Sequence, residues 1–342
     1  MLEDIEGIKV HRSERAYPSM ITTEGFRSIN SVLRFTAWSF SELRKDGPFD
    51  VIEANHCPIF PALSSWVGSR LGGTPLCVTF HEVWYNEWYR YVPRRVYAPV
   101  GIGLEHATTL VPDMAIAVSE MTARGLMEHF GMRRQKIKII SNGVDLEMFN
   151  SIDVGRDDSK VVFVGRLNPH KRLDWLLAAL ELLTKTHPKL KLSVVGDGPW
   201  AQRYRSMGET SVLDGRVSFL GALEDEGVAR ELKSSMVYVQ PSMREGQSIT
   251  VLEAMAAGTP QVAVRTTGSA VADLLATSES GMAVPPSPRS IAAGIEKLLD
   301  DESLWRRLSS NSLGFVKSFS WDSIAEQHLA VYSEMVSRRR EG

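Results

Sequence analysis

Two carboxylates and two cations in the second half of the chain have types and spacing that could do chemistry together. Glu245 lies just before what reads as a helix, and Glu253 lies inside it. Arg166 and Lys171 share an earlier strand-to-helix turn. Carboxylates bind hydroxyls, whereas an Arg and a Lys at one turn can converge on phosphate, the Arg bidentately and the Lys as a compact charge. Around the glutamates, Met236–Val239 is an apolar strand closed by Gln240-Pro241-Ser242. Ser248 is placed to cap a helix through Ala257, Gly258-Thr259-Pro260 stops it, and Gln261–Val264 begins the next strand. The N–H groups of Gly246, Gln247, Ser248 and Ile249 at that helix start make an anion site, most naturally for phosphate. Taken by themselves, the glutamates also fit a solvated loop and a helix surface, and the cations fit an ordinary surface pair.

Other turns bear on the same chemistry. Gly165 directly precedes Arg166. Gly196-Asp197-Gly198-Pro199 ends a later strand, but Pro199 and Trp200 follow it and the third glycine of a dinucleotide fingerprint is missing. A plain tight turn fits that stretch too. Phe219-Leu220-Gly221-Ala222 closes a further strand. In the first half, Thr79-Phe80-His81-Glu82 ends a strand and aims His81 at the ligand side of a sheet, although a lone histidine there also fits a structural role. No second His or Cys stands at ligand spacing, so no metal is expected. Trp84, Tyr85, Trp88, Tyr89 and Tyr91, with Arg90, Arg94 and Arg95, suit a sugar-stacking or membrane-interface surface. They equally suit packing on their own domain.

These residues need a layered scaffold. Short apolar runs alternate with amphipathic ones, the pattern of parallel α/β layers. Strands are expected at Ile8–His11, Val51–Ala54, Leu76–Phe80, Met114–Val118 and Ile137–Ile140, with helices over Glu24–Arg44, Pro61–Leu71 and Glu120–Phe130. The alternation restarts after the polar stretch Ser151–Ser159, giving strands Val161–Val164, Leu190–Val195, Val217–Leu220, Met236–Val239, Gln261–Val264 and Met282–Val284. The expected fold class is α/β, two doubly wound Rossmann-like parallel-sheet domains facing a cleft. Residues 1–150 form the first, 151–320 the second and 321–342 a closing helix. Open sheets of this kind bind ligands at their strand carboxyl ends. Composition agrees with a soluble globular chain of 342 residues, 43% hydrophobic and 23% charged. A formal charge of −2 announces no nucleic-acid partner, and two cysteines offer no disulfide framework. Met1–Lys9 has no secretory pattern, and no apolar run reaches the roughly 20 residues of a membrane span. The expected location is cytoplasmic, with peripheral contact on the inner membrane face as the extension.

The segment Pro241-Ser242-x-x-Glu245-Gly246 … Glu253-Ala254-Met255-Ala256-x-Gly258-x-Pro260 resembles the donor-binding signature of retaining glycosyltransferase family four, enzymes of the GT-B fold. The family's usual form has Phe and Gly where Gln247 and Ser248 stand. Gly165-Arg166-Leu167-x-x-x-Lys171 is similar to its diphosphate motif, Gly196-x-Gly198-Pro199 to its nucleotide turn, and the stretch at Leu220 to its base-pocket edge. The resemblance implies transfer of a sugar from a UDP- or GDP-linked donor to a glycan or lipid-linked acceptor, with retention and without metal or other cofactor. It implies that Arg166 and Lys171 stabilise the leaving diphosphate and that amides from Gly246 to Ile249 share the task. Glu253 would bind the ribose, while Glu245 and His81 would orient the sugar. The competing reading is a catalytically silent GT-B binding partner in a glycan-assembly complex. A metal-dependent transferase would need Asp-x-Asp, and a nicotinamide dehydrogenase would need an opening G-x-G-x-x-G; the chain has neither. Family members usually open with a strand and a glycine-rich loop ahead of a segment like Ile5–Val10, so the native product is expected to start further upstream.

Overall fold

In the computed structural model, residues 2–12, 29–57, 59–92, 94–210 and 212–341 are described. The chain divides into two compact units, Met1–Ile140 with Glu326–Gly342, and Ser141–Ala325. The boundary thus falls ahead of the expected residue 150, because Asn142–Asp145 packs with the second unit. The closing helix Trp321–Glu341 counts with the first unit from Glu326 onward.

In the first unit, β1 (Leu2–Ile5) and β2 (Ile8–His11) form an antiparallel hairpin. Ile8–His11 is therefore a strand as expected, but it lies outside the parallel sheet. That sheet holds β3 (Ile52–Asn55), β4 (Leu76–Phe80), β5 (Met114–Ala117) and β6 (Ile137–Ile139) in chain order. Every residue of β4 and β5 is buried, as continuous apolar runs in a parallel sheet require. The helix Glu120–Phe130 matches its signals at both ends. Ser119 Oγ accepts from the Thr122 amide, and Gly131 closes the helix at φ +67°. The helix expected from Glu24 begins outside the described residues, and its described part is Ile29–Asp46. On the closing helix, the Tyr332 hydroxyl donates to Glu53 of β3, and Lys138 Nζ pairs with Glu334 at 2.8 Å.

The second unit is built on six parallel strands. β7 (Asp157–Val164), β8 (Lys191–Val195), β9 (Val217–Gly221), β10 (Ser235–Gln240), β12 (Gln261–Val264) and β14 (Gly281–Val284) stand in the order β14-β12-β10-β7-β8-β9. The chain winds outward from β7 in both directions, the doubly wound arrangement. Two short strands, β11 (Arg244–Glu245) and β13 (Gly268–Ser269), pair beside it, so Glu245 sits on a strand rather than in an open loop. The pleat sends alternate residues to two cores. Phe163 joins Leu176, Leu180, Val194 and Ile295 on one face, while Val162 joins Tyr238, Val251 and Met255 on the other. Phe163 is fully buried, and its removal to Ala should cost about 3–5 kcal/mol.

Candidate active site

Backbone packing at the carboxyl ends of β7, β8 and β9 explains the glycines. The Gly165 amide donates to Val195 O at 3.0 Å, and the Gly196 amide to Gly221 O at 2.7 Å. A Cβ on Gly196, whose φ is +125°, would fall 2.1 Å from Gly165 O, and one on Gly198 would fall 2.7 Å from Leu167 O. Both positions therefore exclude side chains. Gly198 N donates to Asp197 Oδ1, and Leu167 N to Asp197 O, so the two turns are laced into one surface. Leu220 is partly exposed near the end of β9.

Lys171 ends the short 3-10 turn Pro169–Lys171 and points at Glu245, with Nζ 2.6 Å from Oε1 and both side chains largely buried. This ion pair joins two of the predicted site residues directly. Arg166 is exposed, and no side-chain partner is recorded for it among the described residues. His170 lies between them in sequence, and its pKa is pushed down to about 4 by burial, then by Lys171, with Arg244 and Arg166 adding to that. It stays neutral beside a cationic surface.

The helix behind Glu245 runs Ile249–Ala256, with Ala257 as its C-cap and Gly258 at φ +69°. Ser248 holds the N-cap position, but its hydroxyl does not cap: it lies 3.4 Å from the amide nitrogen of Gln240. Among the described residues no protein acceptor takes the N–H of Gly246, Gln247, Ser248 or Ile249, although Gly246 and Ser248 are buried. These are the four amides that the sequence offers as an anion site. Glu253, in the same helix, has no recorded hydrogen-bond or ion-pair partner among the described residues. Burial, and then the charge of Asp225, raise its pKa to about 7.

Gln247 departs from the family pattern and spends its side chain within its own unit. Its Oε1 accepts from Asn142 N at 2.7 Å and Asn142 Nδ2 at 2.8 Å, while its Nε2 donates to Ser141. Gln240 is the residue that sequence reasoning passed over. It is 2% exposed and donates to Glu245 Oε1 at 2.8 Å and Ser242 Oγ at 3.1 Å. Its signal was a polar residue ending a wholly buried strand.

In the first unit, His81 follows β4 and its Nε2 meets Asn55 Oδ1 at 2.9 Å. Its pKa is lowered by burial, against the opposing charges of Glu82 and Glu53. The aromatic stretch is resolved in favour of packing at two positions. Buried Glu105 accepts from Trp84 N, Tyr85 N and Trp88 Nε1, and a Cβ on Gly101 would strike the Trp88 ring at 2.5 Å. Tyr89, Val96, Tyr97 and Val100 remain exposed, as do Arg90, Arg94 and Arg95. Among the described residues, one group could hold a metal ion, His187, Glu296 and Asp300, and none of the predicted site residues belongs to it.

Two α/β units with parallel sheets, the second doubly wound, have the architecture of the GT-B fold. Residues 145–313 match the family profile described as glycosyl transferases group 1, and residues 10–148 match that of glycosyltransferase family 4. The phosphatidyl-myo-inositol mannosyltransferase of Mycobacterium tuberculosis H37Rv is 30% identical over 314 residues, 88% of this chain and 78% of that protein. An uncharacterized glycosyltransferase of Methanocaldococcus jannaschii is 30% identical over 253 residues, and the match spans 69% of this chain and 64% of that protein's length. Anabaena HepE, solved in complex with UDP-glucose, superposes with a TM-score of 0.73 at 20% identity, covering 90% of this chain and 84% of that one. The chain belongs to glycosyltransferase family 4.

Proposed function

We propose that this chain transfers a sugar from a nucleotide diphosphate sugar to an acceptor hydroxyl, with retained anomeric configuration and no metal ion. The observation that carries the reading is a set of polar groups in the second unit: the Lys171–Glu245 pair, the exposed Arg166, and, without a protein partner among the described residues, Glu253 and the four amides at one helix start. As the bond between the sugar and the diphosphate breaks, its electrons pass to the departing phosphate oxygen, the acceptor oxygen bonds the anomeric carbon on the same face, and the acceptor's proton passes to that phosphate oxygen. In this reading Arg166, Lys171 and the amides stabilise that charge, which is electrostatic catalysis. Glu245 orients the sugar and Glu253 takes the ribose hydroxyls. The UDP-glucose complex of HepE supports a UDP-linked donor. The mannosyltransferase relative, named for phosphatidyl-myo-inositol, supports a lipid-linked acceptor. The exposed Tyr89, Val96, Tyr97 and Val100 beside three arginines support peripheral contact with an anionic membrane.

The test is nucleotide release by the purified chain from a panel of UDP- and GDP-sugars. Release from at least one donor, unaffected by EDTA, is expected. No release from any donor overturns the reading, and loss in EDTA restored by manganese overturns its metal-free part.

A further inference from the structure

Gln240 is the last residue of β10, in a strand that is buried throughout. An amide is costly to bury unless its hydrogen bonds are made, and here they are made in one direction. The Tyr238 hydroxyl donates to Gln240 Oε1, which leaves the NH₂ facing Ser242 Oγ, Ser248 Oγ and Glu245 Oε1. Glu245 Oε1 accepts from Lys171 Nζ as well, so the NH₂ end of the amide is the one that faces it. The shortest of the three contacts is the one to Glu245, at 2.8 Å, and the same carboxylate oxygen accepts from Lys171 Nζ at 2.6 Å. Gln240 and Lys171 thus converge on a single atom, which leaves the carboxylate's other oxygen with no recorded protein partner among the described residues.

We propose that Gln240 is a positioning residue: its amide, oriented by Tyr238, holds Glu245 so that one oxygen is anchored and the other is presented to the donor. The inference rests on the proposed transfer reaction, since it assigns a role within that site. When donor phosphate competes for Lys171, the Gln240 bond is the one that keeps Glu245 in place. Ser242 and Ser248 are the fallback acceptors that keep the amide satisfied.

The experiment measures kcat/KM for donor use in Gln240→Leu, Glu245→Ala and the double variant. Gln240→Leu is expected to lose at least tenfold, and to lose nothing further when Glu245 is already Ala. A residue that merely stabilised the strand would cost the same factor in both backgrounds, and that result overturns the proposal. If Gln240→Leu does not fold, Tyr238→Phe decides: it frees the amide to turn away and should lose severalfold, whereas unchanged kcat/KM overturns the proposal. Wild-type turnover matched by Gln240→Leu sinks this inference alone, while a wild type that uses no nucleotide sugar sinks the proposed function along with it.

Discussion

At the scale of single residues, Glu253 shows why a site's chemistry is only half legible in a sequence. Its place in the Glu245…Glu253 pair could be read directly, but its ionisation could not. That depends on burial in the Ile249–Ala256 helix and on Asp225, which only the fold brings near. Its folded pKa of about 7 lies above the ordinary 4.5, so folding favours the neutral form. The corresponding stability is fully present below pH 4.5 and is lost as pH rises through 7, an effect of up to about 3 kcal/mol. Glu253→Gln should remove this dependence: its stability against denaturant should match wild type near pH 4.5 and exceed it at pH 8. Equal pH slopes for the two proteins would show that Glu253 is not desolvated. Arg166 and Lys171 carry a second expectation. Alanine at either should lower kcat/KM by roughly 2–4 kcal/mol of transition-state stabilisation. For Lys171→Ala, part of the loss comes from leaving Glu245 unpaired, so kcat and KM should both move. Unchanged steady-state kinetics would remove them from the phosphate site.

At the scale of elements, the strands of the two parallel sheets were legible because parallel-sheet interiors are written as short apolar runs, whereas β1, β11 and β13 carry no such run. Glu120–Phe130 forms over the expected residues, with Ser119 and Gly131 at its ends. Ser248 shows the limit of such signals. It takes the N-cap backbone position, yet a buried amide from β10 competes for its hydroxyl, and no local pattern reports that. The glycine turns carry a firmer expectation. At Gly196 any side chain would occupy the space of Gly165 O, and φ is +125°. Gly196→Ala should therefore push β7 and β8 apart at their carboxyl ends, costing about 1–3 kcal/mol. Donor affinity should fall with it, because Arg166 follows Gly165 directly. Calorimetry of the variant with and without nucleotide checks this. Wild-type stability and affinity would mean that the turns do not pack as described. Gln247 belongs at this scale too. The departure from Phe at that position invites a reading about donor choice, whereas its amide is consumed by Ser141 and Asn142.

At the scale of the molecule, the two-unit organisation was legible from the restart of the strand–helix alternation, although the boundary was not. Asn142–Asp145 reads as a polar break, but Val144 N donates to Phe319 O at 2.8 Å and Gly143 packs under Trp321, where a Cβ would meet the ring at 2.5 Å. These contacts join two segments far apart in sequence and draw both into the second unit, information that no local window contains. The division yields a prediction of its own. Arg166, Lys171, Glu245, Glu253 and the amides of Gly246, Gln247, Ser248 and Ile249 all belong to Ser141–Ala325. A nucleotide diphosphate held by them stabilises that unit by RT ln(1 + [L]/Kd), about 2.7 kcal/mol at a hundredfold excess over Kd. Two units need not unfold together, and a ligand confined to one should shift one transition. Hydrogen exchange with and without UDP resolves the units directly. Protection is expected at Gly165–Lys171, Gly196–Gly198 and Gly246–Glu253, with the sheet of β3, β4, β5 and β6 unchanged. Protection confined to that first-unit sheet would place the nucleotide in the other half of the chain and overturn the assignment of the second unit as the donor-binding one.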